Sequence, residues 1–256
     1  MPKVSIVIPS QFKKSGDGYF IEKAISSIRN QSKQYDFQII IGIDRGQEVP
    51  GAIQKLDVEI AEAGVKSLSA SLNAAAKKIT GDYVAFLEDD DWWTSLFLET
   101  AMAVLADADF VSSTQLEVTE RGETVRINDF PTPSGWVMHR KVWDAVGRWN
   151  EELNVHQDNE WLGRLAGKCF RRVHLVEATA PLIPQLIVEC RPWLKNILTN
   201  GGPAVSFQRH ASPWPLVNRV VHSDSWMGRL EPDSAAFKES RRCFDIIQSE
   251  FGYIPW

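Results

Sequence analysis

The chain has 256 residues, 44% of them hydrophobic, and a formal net charge of −5. That size and composition suit one large α/β domain, or a domain with an extension, around a real core. The acidic balance argues against a nucleic-acid binder, which would carry a basic face. No apolar run approaches the roughly 20 residues of a membrane span, and the N-terminal segment lacks a signal-peptide hydrophobic region. The run from Ala180 to Val188 is broken by Pro181, Pro184 and Gln185. Cys169, Cys190 and Cys243 form neither a zinc pattern nor a disulfide framework, which fits a reducing cytoplasm.

In chain order, Val4 to Pro9 reads as a buried strand closed by proline, and Tyr19 to Gln31 as an amphipathic helix. Phe37 to Ile43 is a second strand, ending in the turn Asp44-Arg45-Gly46. Leu56 to Ile60 suggests a short third strand, Ser67 to Ile79 a helix and Tyr83 to Leu87 a further strand. Thr94 is placed to cap a helix running to about Ala106. This alternation predicts a mostly parallel central sheet flanked by helices, with ligands beyond the carboxyl ends of the strands.

The pattern then changes. Asp109 to Glu117 and Thr124 to Ile127 read as a hairpin about Arg121-Gly122. Trp136 to His139 and Arg172 to Val176 read as strands; Lys141 to Val146, His156 to Leu165 and Asp233 to Phe251 read as helices. Residues after Pro181 are otherwise less regular. The expected organisation is a domain over residues 1–180, divided into halves 1–110 and 111–180. An extension over 181–256 is expected to pack on it.

The stretch that carries most chemistry is Glu88-Asp89-Asp90-Asp91, directly after an apolar strand. Adjacent carboxylates raise one another's pKa, so four at a strand end call for a cation. Hard oxygen ligands suit Mg²⁺ or Mn²⁺. The competing reading is a solvated acidic loop at the start of the next helix.

The ordered series Val4 to Ser10, Ile39 to Asp44, Asn73, Gly81 to Leu87 and the acids resembles the family-2 glycosyltransferases of GT-A fold. Trp136-Val137-Met138-His139-Arg140 and Gln157-Asp158-Asn159-Glu160-Trp161 are similar to that family's acceptor-side strand and base segment. The resemblance covers residues 3 to 177. It implies a Rossmann-like nucleotide-diphospho-sugar transferase fold with a less regular C-terminal extension. The implied reaction is inverting transfer of a sugar, of hexosyltransferase type, to an acceptor hydroxyl, as in polysaccharide or glycoconjugate synthesis. The donor would be UDP-, GDP- or dTDP-linked and the acceptor carbohydrate or lipid-linked, with no nucleic-acid partner. The setting would be cytoplasmic, with peripheral association at the inner membrane face left open.

The resemblance also distributes roles. The acids match its Asp-X-Asp motif in two registers, Glu88-Asp89-Asp90 and Asp89-Asp90-Asp91, with Mn²⁺ or Mg²⁺ as cofactor. Asp91 is favoured as direct ligand, with Asp89 and Asp90 on metal, ribose or donor sugar. Asp158 is the expected base, with Glu160 its nearest competitor and His156 a weaker one. Pro9, Ser10 and Asp44 would line the nucleoside slot, with Lys66, Ser69 and Asn73 facing the donor. Trp136, His139 and Arg140 are weaker candidates for acceptor or diphosphate. Arg209, His210 and His222 are candidates for a closing loop. The late tryptophans Trp193, Trp214, Trp226 and Trp256 are candidates for acceptor contact, core or a membrane-facing surface. The alternatives are a sugar-phosphate nucleotidyltransferase, which would carry a glycine-rich basic loop after the first strand, and a silent carbohydrate-binding relative.

Overall fold

The structure is a computed structural model that describes residues 1–177, 207–212, 214–222 and 231–252. Side chains are described for all of these except residues 177 and 207–211. Cys190, Trp193, Trp226, Trp256 and the proposed boundary at 181 lie outside the described residues, as do the side chains of Arg209 and His210.

The strands are β1 (Lys3–Pro9), β2 (Lys14–Ser15), β3 (Gly18–Tyr19), β4 (Asp36–Ile43), β5 (Glu59–Glu62), β6 (Tyr83–Phe86) and β7 (Trp92–Trp93). They continue with β8 (Phe110–Ser113), β9 (Gln115–Thr119), β10 (Thr124–Asn128), β11 (Val137–His139), β12 (Arg172–Glu177), β13 (Phe207–Ser212) and β14 (Val217–Val221). The helices are α1 (Phe20–Arg29), α2 (Gly51–Gln54), α3 (Leu68–Ala76), α4 (Phe97–Val104), α5 (Arg140–Val146), α6 (Gln157–Ala166) and α7 (Ala235–Phe251). An eight-stranded sheet runs β13-β12-β8-β11-β6-β1-β4-β5, and a four-stranded sheet runs β10-β9-β14-β7.

The large sheet is parallel apart from β11, which runs antiparallel to both β6 and β8. Its central strands are buried on both faces, which is why β1 and β4 read as near-continuous apolar runs. Alternation along β1 sends Val4, Ile6 and Ile8 into one core layer and Val7 into another. The first layer is closed by Ile21, Ala24, Ile25 and Ile28 of α1, at helical spacing. The second is closed by α3, α5 and α6, and gathers Trp136, Trp143, Trp149 and Trp161 around Phe86 and Phe110.

Gly42 fixes how close β4 and α3 come. A Cβ there would lie 2.2 Å from the carbonyl oxygen of Ser71, a clash that backbone cannot relieve cheaply. Only glycine lets α3 seat its first turn beside the end of β4, next to Asp44.

Several expected boundaries shift. The third strand forms at Glu59–Glu62, after Leu56. The residue flanking α4 is Leu96, and the buried hydroxyl of Thr94 has no hydrogen-bond partner, so Thr94 does not cap the helix. The run from Asp109 to Glu117 is two strands. Phe110–Ser113 joins the large sheet, while Gln115–Thr119 crosses to the small one and pairs with β10. Ser112, Ser113, Thr114 and Gln115 at this crossing are all fully enclosed, and Ser112 meets His174 while the Thr114 N–H donates to the Leu175 carbonyl. Beyond residue 206, β13 joins the large sheet beside β12, and β14 joins the small sheet between β9 and β7.

Candidate active site

Three polar features converge beyond the carboxyl ends of β1, β4 and β6. Pro9 ends β1 beside Gly42, and the Ser10 N–H donates to the Gly42 carbonyl at 2.9 Å. The Ser10 hydroxyl donates to Asp89 Oδ2 at 2.5 Å and accepts the N–H of Phe12 at 2.9 Å. Asp44 Oδ1 accepts from the Ser67 N–H (3.1 Å) and the Ser71 hydroxyl (2.9 Å), both at the start of α3. Its Oδ2 carries only a long contact from Gln11, at 3.4 Å.

The acidic loop turns at once after β6. Glu88, Asp90 and Asp91 each present an oxygen within 4.8 Å of the others, a set of hard ligands that fits a divalent cation. Asp89 turns away from this set toward Ser10. Asp91 is 1% exposed and held at both oxygens. The Ser134 hydroxyl donates to Oδ2 at 2.6 Å and the Val220 N–H to Oδ1 at 3.0 Å. Asp90 Oδ2 lies 3.0 Å from Nε2 of His222, so His222 meets the acids instead of standing off on a separate loop. That bond is the main cause raising the His222 pKa.

Burial, then the Asp90 charge, pushes Glu88 up to about 7 and Asp89 to about 6, and holds Asp91 well above the usual carboxylate range. The loop therefore carries fewer charges near neutral pH than four free carboxylates would. Arg219 of β14 lowers Glu88 and Asp91, and the Lys13 charge lowers Asp89. Burial opposes the charge of Arg219, but Glu88, Asp91 and Glu117 raise its pKa. It donates to Glu117 Oε1 at 2.8 Å, and Arg126 pairs with the same carboxylate.

Asp158 sits in the first turn of α6, where its Oδ1 accepts the Asn159 N–H at 3.0 Å. Burial raises its pKa, against the pull of that N–H and of Arg219. The Asp158 charge is in turn among those that raise Glu88, after burial and the Asp90 charge. The preceding residue, His156, holds a left-handed conformation (φ 59) that sets the entry to the helix. Its ring stacks on Phe244 at 3.7 Å and reaches the Ser240 hydroxyl at 2.7 Å, and burial lowers its pKa to about 4.

A model of the family described as "Glycosyl transferase family 2" matches residues 5–164, more than half of the chain. The chain belongs to the family-2 glycosyltransferases. No curated protein sequence matches it. Among solved structures, S. aureus TarS 1-349 in complex with UDP shares 13% identity at TM-score 0.57, over 98% of this chain and 72% of that one. The mannosyltransferase PcManGT from Pyrobaculum calidifontis, in complex with GDP-Man and Mn²⁺, shares 17% identity at TM-score 0.52, over 68% and 54%. These likenesses place the protein in the GT-A fold.

Within this glycosyltransferase, several expected site residues stand elsewhere. Trp136 is fully buried and donates its ring N–H to the Pro131 carbonyl at 2.6 Å, so no acceptor reaches it. His139 and Arg140 lie at the opposite end of the sheet from the acids, because β11 is antiparallel to β6 and pairs His139 with Tyr83. There His139 meets the Leu105 carbonyl and Arg140 the Ile79 carbonyl. Glu160 is 3% exposed and forked onto Arg164 at 2.6 and 2.9 Å, which commits it to α6 and leaves Asp158 the open carboxylate. Asn73 uses its amide on Trp149 and Glu151, and Ser69 reaches the Leu153 carbonyl. Both brace the segment leading to Asp158. Lys66 is exposed just before α3, and Trp214 is 48% exposed.

Sequence reasoning missed Ser134, Arg219 and Glu117. The alternation of Val217-Asn218-Arg219-Val220-Val221 was the available signal for a strand, but its neighbours lie about 100 residues away in sequence. A serine–histidine–aspartate set also appears: Ser112 Oγ is 2.7 Å from Nδ1 of His174, whose Nε2 is 3.2 Å from Asp129. All three are fully buried, so this set is a strut and not a nucleophile.

Proposed function

We propose that this glycosyltransferase transfers a sugar from a nucleoside-diphosphate donor to an acceptor hydroxyl with inversion, and that Asp158 is the base. The observation that carries this is the set of Glu88, Asp90 and Asp91 oxygens within 4.8 Å of one another beyond the strand ends, and the Asp158 charge is among those that act on Glu88. The UDP, or GDP-Man and Mn²⁺, in the two similar structures supports a nucleotide-sugar donor here.

Asp44 Oδ2 accepts a base N–H, as its other oxygen is occupied by α3. Pro9 and Ser10 form the floor of that slot, and Lys66 reaches the phosphates as a point charge. Glu88, Asp90 and Asp91 hold a divalent cation, Mn²⁺ or Mg²⁺, with His222 beside Asp90 and Asp89 set by Ser10. Such an ion, when bound, offsets the charge that develops on the leaving diphosphate. Asp158 takes the acceptor proton as its hydroxyl attacks the anomeric carbon. A raised pKa makes that carboxylate a stronger base while ionised. Arg219 limits repulsion between Asp158 and the acids. The acceptor is a carbohydrate or lipid-linked hydroxyl, which places the enzyme in polysaccharide or glycoconjugate synthesis. No described helix is long and apolar enough to cross a membrane.

The test is thermal shift against UDP, GDP and dTDP with and without Mn²⁺, followed by turnover with the matching nucleotide-sugars. One nucleotide raises the midpoint, and does so only with metal. Metal-independent stabilisation removes the acidic loop from the donor site, and stabilisation by none favours a silent relative.

A further inference from the structure

A second cavity, of about 280 Å³, lies between the start of α1 and the small sheet. Its walls carry Tyr19, Phe20 and Trp92, each half-buried, with Glu22, Lys23 and Glu120 around them. Val220 closes one side. Neighbouring strand residues project to opposite faces, so Val220 points away from the side on which Arg219 meets Glu117. Trp92, in register with Asn218, shares the Val220 face. The cavity is therefore on the back of the sheet that carries Arg219.

Three features restrict what fits. The aromatic rings stand in a wall of mixed polar and apolar lining. Lys23 lies 3.0 Å over the Trp92 ring, and among the described residues no carboxylate is within ion-pair distance of its ammonium. An exposed cation on a ring is weakly held and readily displaced. Glu22 and Glu120 outnumber Lys23, so the lining repels a diphosphate. A volume just under the roughly 300–1,000 Å³ of drug-sized pockets admits one small ring.

We propose that this cavity is a saccharide site for one uncharged pyranose, seated on Trp92 with its hydroxyls donated to Glu22 and Glu120. A pyranose offers both things the lining asks for, an apolar C–H face and a rim of hydroxyl donors. The site adjoins the acidic loop directly, because Trp92 follows Asp91 in sequence and the Val220 N–H donates to Asp91 Oδ1. Phe20 stacks on His222 at 6.0 Å, and His222 reaches Asp90. A sugar held there anchors a glycan chain beside the reaction centre without entering it. The inference rests on the cavity alone, so it stands or fails separately from the transfer reaction.

The test is saturation-transfer NMR and calorimetry on the intact protein, without donor or metal. The probes are the methyl glycosides of glucose, galactose, mannose and N-acetylglucosamine. At least one binds, and its affinity is unchanged when UDP, GDP or dTDP is present at saturation. Trp92→Ala and, independently, the exposed Glu120→Gln each weaken binding by about tenfold. Because Glu120 is exposed, its variant folds even where Trp92→Ala does not. Binding by none of the four glycosides overturns the proposal. So does binding that a nucleotide displaces, or binding that Glu120→Gln leaves untouched.

Discussion

Ser134 holds Asp91 in place, donating its hydroxyl to Oδ2 at 2.6 Å from a segment 43 residues further along the chain. The same hydroxyl accepts the N–H of Glu88 at 3.0 Å. One small side chain thus contacts two of the three acids proposed to hold the cation, Asp91 at its carboxylate and Glu88 at its main chain. Ser134→Ala leaves a buried carboxylate oxygen and a main-chain N–H short of partners. It is expected to cost about 1–3 kcal/mol of stability and to weaken Mn²⁺ binding. Denaturant unfolding and metal titration check both; unchanged metal affinity would remove Ser134 from the site.

The raised acids make metal binding depend on pH. Glu88 at about 7 and Asp89 at about 6 bind more protons folded than unfolded. Their contribution to stability is therefore present at low pH and lost as pH rises through those values. A cation held by Glu88 must displace its proton, so Mn²⁺ affinity rises between about pH 6 and 8, and stabilisation by metal grows over the same window. Calorimetry in two buffers of different ionisation enthalpy reads the proton release directly. Glu88→Gln flattens the profile if the assignment holds.

Asp158 and Glu160 separate cleanly by experiment. Asp158→Asn is expected to lower turnover by about 10²–10⁴ while leaving nucleotide binding in place. Glu160→Gln breaks the fork with Arg164 and loses stability, with turnover per folded molecule little changed. The reverse pattern would transfer the role of base to Glu160.

His156 carries a pH dependence of opposite sign to the acids. Its folded pKa of about 4 lies below the ordinary value of 6.5, so its contribution is present above 6.5 and lost as pH falls toward 4. His156→Asn keeps a residue that tolerates the left-handed backbone but does not titrate. The difference in stability between the two proteins should narrow between pH 6.5 and 4. A constant difference would mean that the imidazole titrates alike in the folded and unfolded states.

The first half of the fold was legible because buried parallel strands and amphipathic helices each leave a local period. Asp44, Ser10 and the acids were found by their place at strand ends. His139 and Arg140 were misplaced because strand direction is not a local property. These two residues end at the site or away from it according to whether β11 runs with β6 or against it. Trp136 was ambiguous because an aromatic side chain serves equally as stacking surface or core, and only the surrounding Trp149 and Trp161 decide. Arg219 was out of reach for a different cause. Its partners in the acidic loop lie some 130 residues earlier, and only the pairing of β14 with β7 and β9 joins them.

That pairing sets an order of assembly. On the ribosome, the acidic loop emerges long before β14, and until then Asp91 lacks the Val220 N–H and Glu88 lacks the Arg219 charge. A nascent chain that has folded β1 through β12 carries clustered carboxylates with no internal counter-charge from β14. The reaction centre therefore closes late in synthesis, and the strand that closes it is also the strand that makes the clustered acids tolerable.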